Sequence, residues 1–313
     1  MHKLRVGILR GGVNNHYEAS LETGSLALAN LDKQKYQPID LFLDREGNLH
    51  HRGVPISFAD LSSLVDVVFN ALHGSLGEDG KITGVLNRLN IPIIASPPLT
   101  SAVFSNKKLA KEFFERHGIK TPKFIALSRE EFKTGNRDVF VREVTYRMSP
   151  PWVIKPISGE LGEHVVTVRD RHELLITLAR MFQIYDTVLI EEEVKGKEYS
   201  VGVIESFRSE PHYQALAIEC IRTPEGKSLC VSRMSPEDRA EIKRITDAIF
   251  GNNRGYHYGI VDIIMTRQGA LVLEVNDQPR LSSEAPFGRS LEESGISWGE
   301  FFDHQIALAL GNK

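Results

Sequence analysis

The chain of 313 residues has only two cysteines, no long hydrophobic run and no excess of basic side chains. Cys220 and Cys230 are too few for the disulfide framework of a small secreted domain, and they are typical of reduced thiols in a cytosol. No apolar run approaches the roughly 18 residues that a membrane-spanning helix requires. The apolar stretch near the N-terminus is too short for a signal peptide. We therefore expect a cytoplasmic protein with no membrane partner.

The charge balance and the missing motifs exclude further classes of protein. With 38 basic against 41 acidic side chains, the net charge of −3 lacks the basic excess that is typical of nucleic-acid binders. The sequence has no HExxH, paired CxxC or Walker-A pattern, and its GxSxG match at 295–299 does not follow an apolar strand as a nucleophile elbow does. This disfavours zinc chemistry and serine hydrolysis. A hydrophobic fraction of 41% and a charged fraction of 25% are ordinary for a globular protein of two or three domains.

The segment before Pro97 and Pro98 alternates short apolar strands with helical patterns. Strands of this kind, separated by helices, are typical of a parallel sheet built from βαβ units. The two prolines break the chain, so an N-terminal α/β domain is predicted over residues 1–97. Further along, strand-like and helical runs continue, and the polar stretch 133–147 predicts a mobile loop.

Residues 259–265 and 270–276 both have strand patterns, and the loop 267–269 between them suits a hairpin with Gly269 in the left-handed region. That register pairs 266 with 270 and places Asp262 opposite Glu274, with Asn276 on the same face. Like charges in this position destabilise a sheet unless a cation lies between them. Carboxylate and amide oxygens suit Mg²⁺. A solvated acidic face, with Asn276 merely starting a turn, is the alternative interpretation.

Other charged residues follow predicted strands. Lys155 ends the apolar strand 152–155 ahead of a glycine-containing loop, which suits a phosphate contact, whereas Lys107 lies in a lysine-rich helix. His73 and Glu78 lie beyond the carboxyl end of a predicted parallel strand, where ligands bind in such sheets. The acidic run 191–198 suits the wall of a nucleotide cleft. Solvated surface charges, a structural histidine and an acidic turn are the respective alternatives.

Taken together, these and other segments resemble the D-alanine–D-alanine ligase family of the ATP-grasp superfamily, in that family's order and along nearly the whole chain. The matching segments are Val6-Gly7-Ile8-Leu9 with Gly11-Gly12, Glu18-Ala19-Ser20-Leu21, Ala71-Leu72-His73-Gly74 with Gly77-Glu78-Asp79-Gly80, Lys107, Val153-Ile154-Lys155-Pro156, 188–198, Asp262 and Glu274-x-Asn276. Each piece alone has low specificity, and the joint match is specific.

The resemblance implies an α/β fold of the ATP-grasp type, with an N-terminal parallel-sheet domain and a C-terminal part of α+β character. The implied domains are 1–97, a central ATP-grasp subdomain over 98–187, and a C-terminal catalytic domain over 188–313. ATP would lie between the last two, together with Mg²⁺, or Mn²⁺ as an alternative. The implied partners are small amino-acid substrates, and a homodimer is an expectation.

The resemblance also assigns roles to individual residues. Lys107 and Lys155 would contact phosphates, and Asp262, Glu274 and Asn276 would bind the metal ions. Glu191 and Glu198 would hold the adenine amino group and the ribose, with the backbone of Glu192 and Val194 near the adenine. Glu18 would hold the ammonium group of the first amino acid, and His73 and Glu78 would help to form that site.

The implied mechanism is the activation of a carboxylate by phosphorylation. The γ-phosphoryl group of ATP moves to a carboxylate oxygen, giving an acyl phosphate and ADP, and an amine then attacks the activated carbonyl. Mg²⁺ and lysines offset charge on the transferring group. The amine must lose a proton, and the tetrahedral intermediate requires an oxyanion donor.

The sequence departs from the family around the amino-acid site. Ile260 stands where the family has the arginine that stabilises the oxyanion, and the family's serine-containing phosphate loop is replaced by 160–164. The mobile loop that supplies a tyrosine is replaced by 219–227, and the second-substrate segment by 279–286. We hypothesise that Arg280 replaces the lost arginine, since guanidinium binds carboxylates bidentately. A surface arginine is the alternative interpretation.

Three functions remain open at this point. The first is D-alanine–D-alanine ligation for peptidoglycan precursor synthesis. The second is a ligase of the same fold with a different acceptor, since the acceptor segment is rewritten. The third is a nucleotide-binding protein that has lost catalysis. ADP release that depends on an added amino acid separates the enzymes from the binder.

Overall fold

The computed structural model of the chain describes residues 3–158, 164–223, 226–232, 234–252 and 255–311. Its strands form three sheets that follow one another along the sequence. The α/β class expected from the sequence is confirmed, with a largely parallel first sheet and two antiparallel sheets after it.

The first sheet has the strand order β4-β3-β2-β1-β5-β6. Strands β2, β1, β5 and β6 pair in parallel, while β3 and β4 extend the edge as antiparallel strands. Its core strands are apolar on both faces because helices cover them, as the sequence predicts. The elements are β1 Leu4–Gly11, α1 Tyr17–Asn30, β2 Tyr36–Leu43, β3 Leu49–His51, β4 Val54–Ile56, a 3₁₀ turn Phe58–Asp60, α2 Leu61–Leu64, β5 Val67–Asn70, α3 Ser75–Glu78, α4 Lys81–Arg88 and β6 Ile93–Ile94.

The second sheet has the order β7-β10-β8-β9 and is antiparallel throughout. The elements of this part are α5 Pro98–Phe104, α6 Lys107–Arg116, β7 Phe124–Ser128, α7 Arg129–Thr134, α8 Arg137–Arg147, β8 Trp152–Pro156, β9 Val166–Val168, α9 Arg171–Ile184 and β10 Thr187–Glu192.

The stretch predicted as a mobile loop, 133–147, is mostly helix α8, and that prediction is wrong. Asn136 caps the helix by accepting hydrogen bonds from the N–H groups of Asp138 and Val139. Val141 and Val144 are buried on its inner face. The helix therefore forms because two apolar side chains at helical spacing meet the core, although the stretch is polar on average.

The expected domain boundary between residues 187 and 188 falls inside β10. That strand lies in the middle of the second sheet, paired with β7 on one side and β8 on the other. Sheet membership therefore favours a boundary in the connection 193–196. The division into three domains itself stays a prediction.

The third sheet contains six described strands, in the order β14-β13-β11-β15-β16, with β12 also paired to β11. Its neighbouring strands are antiparallel. The elements are β11 Lys197–Phe207, β12 Glu210–Gln214, β13 Ile218–Thr223, β14 Gly226–Val231, α10 Pro236–Gly251, β15 Tyr258–Thr266, β16 Gly269–Asn276, α11 Pro286–Glu293 and α12 Trp298–Ala309.

The last two helices pack against the first sheet. The rings of Phe69, on β5, and Phe302, on α12, meet edge to face with centroids 5.3 Å apart. Val6 and Ile8 belong to the same buried cluster as Phe287 of α11. The C-terminal end of the chain therefore completes the core of the N-terminal sheet.

None of the helices in the described ranges is long and apolar enough to cross a membrane.

A buried histidine gives the fold a predictable dependence on pH. His257 is enclosed between Glu205, which accepts its backbone N–H, and Gln305, whose Oε1 lies 3.3 Å from its Nδ1. Burial lowers the pKa of His257 from its ordinary 6.5 to about 4, and the two neighbours offset only part of this effect. Below pH 6.5 the unfolded histidine gains a proton that the folded one does not. The free energy of unfolding should therefore fall by about 3 kcal/mol between pH 6.5 and 4.

Urea denaturation across that pH range, with His257→Asn beside the unmodified chain, measures this effect. Asparagine tolerates the left-handed backbone at this position, where φ is 63°, and it does not titrate. We expect a shallower loss of stability for His257→Asn and an unchanged loss for the exposed control His172→Asn. Equal slopes for all three chains would contradict the assignment.

Candidate active site

The predicted pairing of Asp262 with Glu274 is present, although the hairpin reaches it by a different route. Thr266 pairs with Gly269 rather than with residue 270, so the loop has two residues instead of three. A bulge between Asp262 and the next residue adds one residue, Leu273, to strand β16 and restores the expected pairing. Asp262 and Glu274 therefore face each other directly, with Asn276 two residues further on.

The neighbouring strands add side chains to the same face. Strand β11 pairs Ser200 with Asp262 and Glu198 with Ile264, so that Glu198 and Ser200 lie beside the hairpin. The Ser200 hydroxyl donates to Asp262 Oδ1 over 2.5 Å, and Cys220 Sγ lies 3.4 Å from that hydroxyl. Ser200 was not predicted, although its position two residues after Glu198 on a strand was a usable signal.

Lys107 is the cation that approaches the acidic hairpin. Its Nζ lies 3.2 Å from Glu274 Oε2, and its backbone N–H donates to Ile157 O over 2.7 Å. Asn106 caps helix α6 at this point by accepting two backbone hydrogen bonds. The first turn of α6 thus holds Lys107 next to the hairpin carboxylates that are the candidate metal ligands. No local sequence pattern around Lys107 predicted this position.

Lys155 and Glu191 meet in a buried cluster together with Lys111. The Nζ atoms of both lysines lie 2.9 Å from Glu191 Oε1, and all three side chains are buried. Burial lowers the pKa of Lys111 to about 8, while the Glu191 carboxylate opposes that shift. Lys111 was not predicted. Its signal was the spacing of four residues from Lys107, which places both lysines on one face of a helix.

Lys155 and Glu191, but not Lys111, line a cavity of about 520 Å³ between the second and third sheets, a size typical of small-molecule sites. The expected nucleotide and metal residues in its lining are Lys107, Lys155, Glu191, Glu192, Val194, Glu198, Asp262 and Glu274. The tertiary structure therefore brings together residues that are up to 167 positions apart in the sequence, from Lys107 to Glu274.

The connection after β10 forms one wall of this cavity. The N–H of Glu192 donates to Lys123 O over 3.1 Å, and the N–H of Glu193 donates to Pro151 O over 3.1 Å. Both backbone N–H groups are thus used within the protein. The N–H of Glu192 is therefore not available as a donor to a ligand in the cavity.

A second cavity of about 350 Å³ adjoins the first. Lys107 and Glu274 line both cavities, and Glu78 and Asn276 line the second one. A phosphoryl group held at Lys107 would therefore have a nucleotide-sized space on one side and a smaller ligand space on the other.

His73 and Glu78 are brought together as expected, and His73 lies behind Glu78 rather than in the cavity lining. Glu78 Oε1 accepts the backbone N–H of Gly74 over 2.7 Å and lies 3.4 Å from His73 Nδ1. His73 Nε2 lies 2.9 Å from Thr23 Oγ1, which in turn accepts the N–H of Leu281. His73 thus fixes the carboxylate that faces the second cavity.

The structure does not bring Glu18 or Arg280 into the lining of either cavity. The Glu18 side chain is 79% exposed and pairs with Arg45 over 3.4 Å. The Arg280 side chain is 42% exposed, and its guanidinium pairs with Glu22 on helix α1. Each of the two side chains thus forms an exposed ion pair at helix α1, outside the cavities.

The positions at which the sequence departs from the family lie in different parts of the fold. Ile260 is buried in the core and pairs with Asn276 across the hairpin. Of the segment 160–164 that stands in place of the family's phosphate loop, 160–163 lie outside the described residues, while His164 approaches the Tyr185 hydroxyl at 2.5 Å. The segment expected to replace the mobile loop contributes to the antiparallel pair β13 and β14, with 224–225 outside the described residues.

Two buried polar residues next to Asn276 were missed by the sequence interpretation. Gln278 Nε2 donates to Asn70 O over 2.9 Å and to Leu72 O over 2.8 Å. Asp277 accepts a hydrogen bond from Ser101 Oγ, and burial raises the pKa of the Asp277 carboxyl. No local pattern marks either residue, because their partners come from the first sheet and from α5.

Among the described residues, no group of three or more His, Cys, Asp or Glu side chains is placed to hold a metal ion. The candidate metal set therefore consists of two carboxylates, Asp262 and Glu274, completed by the amide oxygen of Asn276. That oxygen also accepts the N–H of Gln278 over 2.8 Å, which fixes the orientation of the amide.

A cleft between two antiparallel sheets, with lysines on one wall and a carboxylate hairpin on the other, places the protein in the ATP-grasp class. The family model described as D-ala D-ala ligase C-terminus matches residues 113–307, and the chain belongs to this family.

Known proteins of this family match the chain from end to end. A D-alanine–D-alanine ligase of Bacillus anthracis is 28% identical over 98% of this chain and 97% of its own length. The structure of the Bacillus anthracis ligase complexed with ATP has a TM-score of 0.83 at 27% identity, covering 98% of both chains. The VanG D-Ala:D-Ser ligase of Enterococcus faecalis shares the fold, with a TM-score of 0.85 at 22% identity over 98% of this chain and 100% of that one.

Gln278 links the active-site hairpin to the first sheet, which makes it a test of the fold around the site. Gln278→Ala leaves the carbonyl groups of Asn70 and Leu72 buried without their donor. We expect the free energy of unfolding to fall by about 3 kcal/mol, as measured by chemical denaturation. The exposed control Gln34→Ala should change it by less than about 0.5 kcal/mol. A similar, small change for both variants would show that the link is not stabilising.

Proposed function

We propose that the protein is an ATP-dependent carboxylate–amine ligase that joins two molecules of D-alanine for the synthesis of peptidoglycan precursors. The observation that carries this proposal is the junction of two cavities at Lys107 and Glu274. A phosphoryl group must pass from nucleotide to carboxylate, so the two substrates need adjoining spaces with charged groups between them. Relatives named D-alanine–D-alanine ligase, which align with nearly the whole chain, support the choice of substrate.

The larger cavity is proposed to hold ATP. Lys107 and Lys155 would contact its phosphates, since both ammonium groups belong to residues of the cavity lining. Glu198 lies on the strand that carries Ser200 and would meet the ribose, while Glu192 and Val194 would border the adenine. Since Glu191 already pairs with two lysines, we propose that it organises these cations as well as bordering the base.

The hairpin residues fit Mg²⁺, with Mn²⁺ as an alternative. Asp262, Glu274 and Asn276 supply oxygen donors only, and the two facing carboxylates require a counter-charge. When bound there, the metal would offset the charge of the phosphoryl group during transfer. Lys107 supplies a counter-charge from the protein itself, 3.2 Å from Glu274.

The smaller cavity is proposed to hold the amino-acid substrates. Glu78 is held by Gly74 and His73 and presents a buried carboxylate that suits an ammonium group. Transfer of the γ-phosphoryl group to the carboxylate of the first substrate gives an acyl phosphate and ADP. The deprotonated amine of the second substrate then attacks the carbonyl, and inorganic phosphate leaves as the C–N bond forms.

The direct test is phosphate release from ATP, Mg²⁺ and D-alanine, with the dipeptide identified by mass spectrometry. We expect D-alanyl-D-alanine, and a loss of turnover on the order of 10²–10³-fold for Asp262→Asn, which removes a metal carboxylate. The matched control Asp247→Asn changes a carboxylate on the surface helix α10 and should keep full turnover. Nucleotide binding without dipeptide formation would contradict D-alanine as the acceptor.

A ligase with a different acceptor is the second candidate, favoured by the rewritten second-substrate segment 279–286. Under this alternative the first substrate is activated in the same way, and phosphate release depends on another amine. Panels of D- and L-amino acids, assayed for phosphate release with and without D-alanine, separate the two candidates.

The hypothesis that Arg280 replaces the oxyanion arginine has its own test, Arg280→Ala. Because the guanidinium pairs with Glu22 outside both cavities, we expect turnover to change less than about threefold, as for an exposed ion pair. The matched control is Arg289→Ala, another arginine in a surface ion pair. A fall on the order of 10²–10³-fold in Arg280→Ala alone would instead support the hypothesis.

The proposed role of Glu18, to hold the ammonium group of the first amino acid, is testable in the same way, by the turnover of Glu18→Ala. Since Glu18 is exposed and Glu78 lines the smaller cavity, Glu78 is the better placed carboxylate in this structure.

A further inference from the structure

We propose that Lys111 is a positioning residue of the nucleotide cleft. Lys111 pairs with Glu191 from the buried side, so that Lys155 is able to leave Glu191 and contact a phosphate oxygen instead. The inference rests on the proposed binding of ATP in the larger cavity. Lys111 itself does not line that cavity and acts through Glu191.

The three side chains form a row with an inner and an outer cation. Lys155 and Glu191 belong to the cavity lining, whereas the Lys111 side chain is 1% exposed and lies behind them. Strands β8 and β10 pair Val153 with Glu191, so Lys155 lies on the same face, one diagonal step away. Glu191 Oε1 therefore faces two ammonium groups, that of Lys155 on the cavity side and that of Lys111 on the core side.

The inner cation is anchored by further contacts. Lys111 Nζ donates to Thr121 Oγ1 over 2.6 Å, and that hydroxyl donates to Val272 O over 2.8 Å. Its ammonium group also lies 5.5 Å from the centre of the Phe124 ring. Helix α6, the third sheet and the second sheet thus fix Lys111 in place, which suits a group that stays with Glu191.

The charges of the cluster explain why two lysines are needed. With all groups ionised, the two ammonium groups and one carboxylate carry a net charge of +1, which favours a polyphosphate nearby. When Lys155 turns toward phosphate, Lys111 and Glu191 remain as a neutral pair. Without Lys111 the same movement would leave a buried carboxylate unpaired, and this is strongly unfavourable. Lys155 would then stay on Glu191, and ATP would lose a contact.

The test is the dissociation constant of Mg-ATP, measured by calorimetry on the full chain, together with the steady-state constants. Lys111→Met removes the charge at nearly constant volume. We expect the dissociation constant and KM for ATP to rise about 30-fold, with kcat at saturating ATP within about threefold of the unmodified chain. Lys108→Met, on the exposed side of the same helix, is the matched control and should bind ATP normally.

A double-mutant cycle identifies the route of the effect. In a Glu191→Gln background there is no carboxylate left to hold, so Lys111→Met should change the dissociation constant by less than about threefold. An equal loss in both backgrounds would show that Lys111 acts on folding or on the nucleotide directly, and would overturn the proposal. Unchanged ATP binding by Lys111→Met would overturn it as well. Failure of the unmodified chain to bind Mg-ATP would instead refute the proposed function.

Lys111→Arg keeps the test decisive if Lys111→Met does not fold. The charged groups that face Lys111 are Glu191, Lys155 and, at longer range, Glu274. Its pKa is about 8, so raising the pH from 7 to 9 removes its positive charge, and ATP binding should weaken by about tenfold. Arginine stays charged, so the Lys111→Arg profile should be flat over the same range. Identical profiles would overturn the proposal.

Discussion

The two carboxylates of Asp262 and Glu274 face each other across an antiparallel hairpin, and the other polar groups of the candidate active site offset their repulsion. A protein keeps such a pair only where cations reach it. Here Lys107 approaches Glu274 from the first turn of a capped helix, and the Ser200 hydroxyl donates to Asp262. The pair thereby marks the place where a cation and a phosphoryl group would be most strongly stabilised.

Helix α6 connects this pair with the other charged cluster of the cleft. Lys107 and Lys111 are four residues apart on the helix, and they reach Glu274 on the third sheet and Glu191 on the second. One helix thus sets the position of cations on both walls of the cavity. A change in the angle between the two sheets would alter both ion pairs at once, which links the shape of the cleft to its charge.

The smaller cavity depends on the first sheet in the same way. Gln278 ties the segment after the hairpin to β5, and His73 and Thr23 hold Glu78 from behind. These hydrogen bonds join the walls of the smaller cavity to the first sheet and to helix α1. Ile260 is buried and apolar, so its side chain cannot donate a hydrogen bond to an oxyanion.

Elements with local patterns could be predicted from the amino-acid sequence alone. Apolar strands that alternate with helices predicted the parallel first sheet, and the alternation of side chains along β15 and β16 placed Asp262 opposite Glu274. The predicted turn was one residue too long, and the bulge at Leu273 restored the pairing. Helix α8 was missed because its polar composition concealed two buried valines.

The ion pairs, in contrast, depend on how distant segments pack and could not be predicted from local patterns. Lys111 belongs to a lysine-rich helix, and it is buried because Glu191 and Thr121, from other parts of the chain, pack against it. Glu18 matched a motif of the family, and Arg280 was the hypothesised replacement for the oxyanion arginine. Each lies outside the cavities in an ion pair at the surface. The physical reason is that alternation and helical periodicity fix which face a side chain takes, whereas its ion-pair partner depends on how distant segments pack.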